Sequence, residues 1–262
     1  MKKHYSVLSI AGSDSSAGAG IQADLKTLTA LGCYATTAIT GITSQNTQGI
    51  FDVFILPVAH IQSQIKAILD DINILAVKIG MLPTAEGILA ISQLLQYYNT
   101  PNIVLDTIMM ASSGRNLLDD ASLQAFKQNL IPIATLITPN IPEAETLLDV
   151  KITTRTDVEN ALKALQQLGC DNVLLKGGHQ LGETCTDTLL TADGTFYEFS
   201  HPKIASRNTH GTGCTLSSAI AAYLAKGESL PQACEKAGQY VHKAIVLGAE
   251  YVLGKGNGPL MH

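Results

Sequence analysis

Short runs of apolar, β-prone residues alternate from end to end of the chain with segments whose apolar positions recur at helical spacing. Residues 7–11 read as a first strand and 21–31 as a helix, with Gly32 placed as its C-terminal stop. Residues 34–40 are again strand-like, and 61–69 have helical spacing. A buried strand is expected over 74–79, closed by Gly80, then a helix over 86–98. Residues 103–105 form a strand closed by Asp106, 123–130 a helix, and 136–138 a strand closed by Pro139-Asn140. A helix over 158–168 precedes a strand over 173–175, which ends at Lys176-Gly177-Gly178. Residues 184–199 change character and read as short strands about the turn Asp193-Gly194. After Gly211 the chain is helical to Tyr223 and again from Leu230 to Tyr251.

This alternation predicts an α/β fold with a mostly parallel central sheet and helices on both faces, a three-layer α/β/α arrangement. No Pro/Gly/Ser-rich linker and no internal repeat interrupts it, so residues 1–262 are read as one domain. Ligands of such sheets sit beyond the carboxyl ends of the strands. Asp14, Asp106, Asn140, Lys176 and the segment around Gly211 are therefore the informative positions: carboxylates, a lysine and glycines, the residue types of a phosphate enzyme.

Composition narrows the function classes. Hydrophobic residues make up 46% of the chain and charged ones 15%, too apolar for disorder. The net charge is −5, with Lys2-Lys3 the longest cationic run and Trp absent, which argues against a nucleic-acid partner. The apolar run after Lys2-Lys3 ends at Gly12-Ser13-Asp14, too short for a signal peptide, and no stretch is long enough for a membrane span. Cys33, Cys170, Cys185, Cys214 and Cys234 are odd in number and form no C-x-x-C pair. That argues against a disulfide framework or structural zinc and for a reduced, cytoplasmic protein.

Four segments carry the chemistry. His210-Gly211-Thr212-Gly213-Cys214-Thr215 precedes an apolar helix. Its backbone N–H groups and the helix dipole suit a phosphoryl group, although a plain turn into a helix has the same pattern. It is not a Walker A loop. Cys214, in the first helical turn, is either a thiol of lowered pKa able to take a proton from a substrate hydroxyl, or a small buried hydrophobe. Residues 12–20 (GSDSSAGAG) leave room for a ligand beside Gly12; Asp24, early in the next helix, either contacts that ligand or complements the dipole. Asn140 and Glu143, at N-x-x-E spacing, suit Mg²⁺ or its waters and equally suit a capping box. Lys176 follows a strand and can neutralise phosphate, or is a surface lysine.

Taken together, AGSDSSAGAGIQADLKT (11–27), ITSQNTQG (42–49), KIGML (78–82), TPNIPEAE (138–145), KGGH (176–179) and NTHGTGCT (208–215) resemble the ribokinase-like superfamily. Within it they resemble the hydroxymethylpyrimidine and phosphomethylpyrimidine kinases of thiamine biosynthesis. The resemblance runs over nearly the whole chain. It implies two transfers from ATP: onto the hydroxymethyl group of 4-amino-5-hydroxymethyl-2-methylpyrimidine, then onto the monophosphate. It assigns Gln45, Asp24, Met81 and Gly12 to the ring pocket, and Gly211, Gly213, Cys214 and Lys176 to catalysis. Lys176, Asn140, Thr212 and Gly213 fall to the ATP phosphates, and Asp106 and Glu143 to Mg²⁺. It also implies a homodimer. The family's Asp-Pro-Val-Met is here Asp106-Thr107-Ile108-Met109, so the loop loses a fixed φ and is expected to be looser. Residues 107–115 and 182–187 are the candidates for a closing loop. Two rival readings stand beside this one: a pyridoxal/pyridoxine kinase on the same scaffold, and a non-catalytic pyrimidine-binding regulator.

Overall fold

The computed structural model describes residues 4–109, 118–178 and 183–262. His179, and residues 110–115 and 182 of the candidate closing loops, lie outside them.

A nine-stranded sheet in the order β3-β2-β1-β4-β5-β6-β7-β8-β9 carries the fold. Its centre is parallel: β1 (Ser6–Asp14) lies between β2 (Tyr34–Asn46) and β4 (Ala76–Ile79). Beyond β4 come β5 (Ile103–Leu105), β6 (Leu136–Ile137) and β7 (Val173–Leu175), also parallel. Antiparallel strands finish both edges: β3 (Gly49–Ile55) on β2, and β8 (Thr184–Leu190) then β9 (Phe196–Pro202) beyond β7.

Side chains alternate across the pleat, so each central strand feeds two cores. Leu8, Ile10, Val77 and Ile79 pack under α2 (Val58–Leu69), α3 (Ala85–Tyr97), α4 (Asp120–Ala125), α5 (Ile141–Leu148) and α6 (Arg155–Gln166). Val7, Ala76, Val104 and Leu174 pack under α1 (Gly20–Ala30), α7 (Thr212–Ala225) and α8 (Leu230–Gly248). These are the three layers the alternation predicts, and the apolar runs are near-continuous because both faces of the sheet are covered.

The structure departs from the sequence reading in four places. β2 runs on to Asn46 and turns into β3, a strand absent from the reading. Phe51 and Phe54 of β3 are exposed, so its apolar residues mark no core face. α5 was not marked by periodicity; it is short and is defined by its cap instead. The helix expected over 123–130 is α-helical only to Ala125, then widens and tightens through Ile133. Pro132 has no N–H to continue it. α8 stops at Gly248 rather than Tyr251. There the Asn208 side chain donates to the carbonyls of Gly248 and Tyr251, and the chain folds back so that Met261 N donates to Ala244 O.

Candidate active site

Strand order reverses at β1, with β2 on one side and β4 on the other, and a crevice opens at the carboxyl ends there. It is a cavity of about 960 Å³ that takes in the ends of β1, β5 and β7 and the start of α7.

One end of the cavity gathers charge. Lys176 Nζ lies 3.4 Å from Asp106 Oδ1 and 3.8 Å from Glu143 Oε2. A Cβ added at Gly213 would come to 3.5 Å from both Lys176 Nζ and Asp106 Oδ2, so that main chain runs beside the pair. Burial alone would pull the Lys176 ammonium down, but Glu143 and Asp106 outweigh it and hold its pKa above the usual lysine value. Burial pushes the Glu143 carboxyl up, and Asp106 adds to this against the pull of Lys176.

Asn140 and Glu143 form the capping box of α5. Glu143 N donates to Asn140 Oδ1 and Asn140 N to Glu143 Oε2, both at 2.9 Å. Both residues line the cavity as well, so cap and ligand position are compatible. Thr107 is fully buried, and its hydroxyl donates to Glu143 Oε2 at 2.8 Å. Thr107, at the start of the loop, is thus tethered by a bond that proline cannot make.

α7 begins at Gly211 with φ +87°, and a Cβ there would fall 1.9 Å from Gly18 O, so only glycine fits. No side chain caps this helix. Thr212 N is taken by Thr209 O, which leaves the first-turn N–H groups of Gly213 and Cys214 without helical acceptors.

Hydroxyl, amide and imidazole groups line the cavity around Asp14. Gly12, Asp14, Thr43, Gln45, Met81 and His210 line it. Asp14 is the hub: its carboxylate accepts from Ser16 N, Ser16 Oγ, Gly18 N and Ala19 N, and sits 2.9 Å from His210 Nε2. Burial opposes ionisation, but the His210 and Ser16 bonds, with Ala19, hold the carboxyl down at about 2.

A model of the phosphomethylpyrimidine kinase family matches residues 14–261. The chain belongs to that family. A hydroxymethylpyrimidine/phosphomethylpyrimidine kinase of Haemophilus influenzae is 44% identical over 98% of this chain and 96% of its own length. The thiamine biosynthesis bifunctional protein ThiED of Geobacter sulfurreducens is 46% identical over 98% of this chain. This chain spans about half of that bifunctional protein, 52% of its length. The solved Bacillus subtilis pyridoxal kinase with ADP superposes with a TM-score of 0.91 at 35% identity, over 99% of this chain and 98% of its own.

Within this family member, Gly12, Gln45, Met81, Asp106, Asn140, Glu143, Lys176, Gly211, Thr212, Gly213 and Cys214 all line the one cavity. Asp24 does not. It is fully buried beneath it, in an ion pair with Lys78 Nζ at 2.8 Å, and accepts from Ser9 Oγ and Ser218 Oγ. One turn into α1, its carboxylate points at the sheet and not at solvent, which corrects the pocket assignment. The expectation of a lowered thiol pKa at Cys214 is also reversed. Burial pushes this thiol up to about 12; Lys78 opposes, while Asp24 and Asp106 add to the rise. The helix dipole does not compensate for lost water.

Sequence reasoning missed Asp14 and His210 as a bonded pair. Both stand in motifs already singled out, but nothing in the spacing joins residues so far apart. It also missed Asp187, which accepts from Gly177 N at 2.8 Å, and His201 and His242, which line the far end of the cavity with their rings stacked.

Proposed function

We infer that the chain transfers the γ-phosphoryl group of ATP to the hydroxymethyl group of 4-amino-5-hydroxymethyl-2-methylpyrimidine, and then phosphorylates the monophosphate. The observation that carries this is the uncapped start of α7 lying against Lys176 in the same cavity as Gln45. Phosphoryl transfer needs alignment and charge neutralisation more than covalent chemistry. The Gly213 and Cys214 N–H groups accept the charge growing on the phosphoryl oxygens, and Lys176 adds a fixed positive charge. Gln45 offers a donor and an acceptor to an aminopyrimidine edge. The pyridoxal kinase shares the fold so fully that the fold does not choose the ring; the higher identity to the pyrimidine kinases favours the pyrimidine.

Asp106 and Glu143 are hard oxygen donors beside the phosphate position, and they fit Mg²⁺ held partly through water and phosphate oxygens. When bound there, the ion supplies neutralisation of the triphosphate. The protein's own part is to keep the two carboxylates and Lys176 together.

Incubation with ATP, Mg²⁺ and either the aminopyrimidine alcohol or pyridoxal, read by mass spectrometry, tests the assignment. Mono- and diphosphate of the pyrimidine are expected; phosphorylated pyridoxal as the dominant product overturns the ring assignment, and no product supports the regulator. Gln45→Leu is expected to weaken pyrimidine binding by about tenfold or more with ATP affinity unchanged, measured by calorimetry.

The resting thiol of Cys214 is protonated at neutral pH, so we assign it to shaping the site beside the hydroxymethyl group and leave the proton to the phosphoryl oxygens. A group whose pKa is raised to about 12 adds no limb to the kcat–pH profile between pH 6 and 9. Cys214→Ser should keep kcat within about tenfold. A limb in the wild type that the serine variant abolishes would reinstate a base.

The homodimer rests on the exposed apolar edge of the sheet. Ile42, Phe51, Phe54 and Ile55 lie on β2 and β3, a strand edge that proteins normally cover. Sedimentation velocity should give a dimer for the wild type and a monomer for Phe51→Asp/Phe54→Asp. Five free cysteines support a reducing, cytoplasmic setting, and among the described residues no helix is long and apolar enough to cross a membrane.

A further inference from the structure

The ring end of the cavity holds a row of hydrogen bonds whose direction is fixed from one end. Asp14 takes four N–H or O–H donors from Ser16, Gly18 and Ala19, so it is an ionised acceptor with nothing to donate. His210 Nε2, 2.9 Å from Asp14 Oδ2, must then carry its hydrogen, because a bare nitrogen lone pair would face a carboxylate. The ring is held in place. A Cβ at Gly18 would fall 2.3 Å from His210 Cδ2, and His210 N donates to Gly258 O in a bridge that pairs His210 with Pro259.

The Gln45 carboxamide is placed with its Nε2 3.2 Å from the same His210 Nε2 and its Oε1 3.1 Å from Thr43 Oγ1. A ring N–H cannot accept, so the atom turned to it is the carboxamide oxygen; the oxygen and nitrogen of such a group exchange by a half-turn. The amide nitrogen then stands 3.1 Å from Thr43 Oγ1, which gives its own hydrogen to Ser13 O at 3.1 Å and keeps lone pairs to accept with. The single His210 Nε2 hydrogen is shared between Asp14 Oδ2 at 2.9 Å and the carboxamide oxygen at 3.2 Å, and every donor meets an acceptor. The opposite orientation sets an amide N–H against the imidazole N–H.

We propose that His210 determines ring specificity by fixing which way round Gln45 presents its carboxamide. The oxygen, on the His210 side, takes a hydrogen from an exocyclic amine, and the N–H, on the Thr43 side, gives one to the neighbouring ring nitrogen. A 4-oxo ring reverses both roles and meets donor against donor and acceptor against acceptor. This rests on the functional reading that Gln45 faces the pyrimidine.

Calorimetry with the 4-amino ring alcohol and its 4-oxo analogue tests it on the wild type and on His210→Phe, which keeps a ring against Gly18 and removes the N–H. The wild type is expected to prefer the amino ring by about 10- to 100-fold, and the variant to lose about tenfold of that preference because Gln45 is free to turn. An unchanged ratio overturns the assignment. Nitrogen NMR of the wild type reads the tautomer without any variant: a protonated Nε2 is expected at His210, and a bare Nε2 overturns the proposal. If neither ring binds the wild type, the functional reading itself falls; if the amino ring binds but the ratio is unmoved, only the role of His210 does.

Discussion

Lys176→Met is expected to lower kcat by about 10²- to 10³-fold while ring affinity moves by less than about threefold, the range seen when one preorganised donor to developing charge is removed. The lysine lies between Asp106 and Glu143, at 3.4 and 3.8 Å, and beside Gly213, so it is a fixed cation next to the proposed phosphoryl cradle. Methionine keeps the length of the stem and removes only the charge. Steady-state kinetics and calorimetry with the pyrimidine alcohol separate the two effects; an unchanged kcat would remove Lys176 from the transfer step. The substitution also leaves two carboxylates facing each other. Glu143 already sits above its ordinary pKa through burial and Asp106, and it rises further once Lys176 is gone. A carboxyl raised in the folded state binds more protons folded than unfolded, so stability falls as pH rises. The loss in Tm relative to the wild type should therefore be larger at pH 8 than at pH 5.

Lys78→Met carries the largest stability effect. Lys78 and Asp24 are both fully buried, and their pair is closed by the hydroxyls of Ser9 and Ser218. It joins β4, β1, α1 and α7 directly beneath Cys214. Removing one partner strands a buried charge and costs about 3–5 kcal/mol, whereas replacing both is far less harmful. Lys78→Met/Asp24→Asn should therefore recover most of the loss, since asparagine keeps a hydrogen-bonding partner for the serines; denaturant melts of the four proteins give the coupling. An additive cycle would show that the pair is not a unit. Burial by itself would lower the lysine pKa, but Asp24, helped by Cys214 and Asp106, holds it above the ordinary value. A raised lysine stabilises fully below its unfolded pKa and loses that only as pH rises through the folded one, so the lysine's own contribution to wild-type stability should not change between pH 6 and 9.

Much of the scaffold was legible because local rules set it. Val7 with Leu8, and Ala76 with Val77, belong to strands covered on both faces, and an unbroken apolar run is the trace of that burial. Gly211 and the small residues after Gly12 announced close backbone approach, and the structure finds a carbonyl 1.9 Å from where a Cβ on Gly211 would be. β3 stayed hidden because its apolar residues face solvent, and the widened turn at Phe126 because packing and Pro132 override helix periodicity.

Most of the strand and helix order, the glycine turn into the helix after Gly211 and the family are properties of residues close together in the chain, and the amino-acid sequence by itself carries them. Which carboxylate meets which cation is decided only by the tertiary structure: Asp24 goes down to Lys78, Asp106 across to Lys176, and Asp14 to His210. The reason is that burial and charge act through space over a few ångströms. The same aspartate beside a helix start is a ligand, a buried ion or a hub according to what the sheet brings against it.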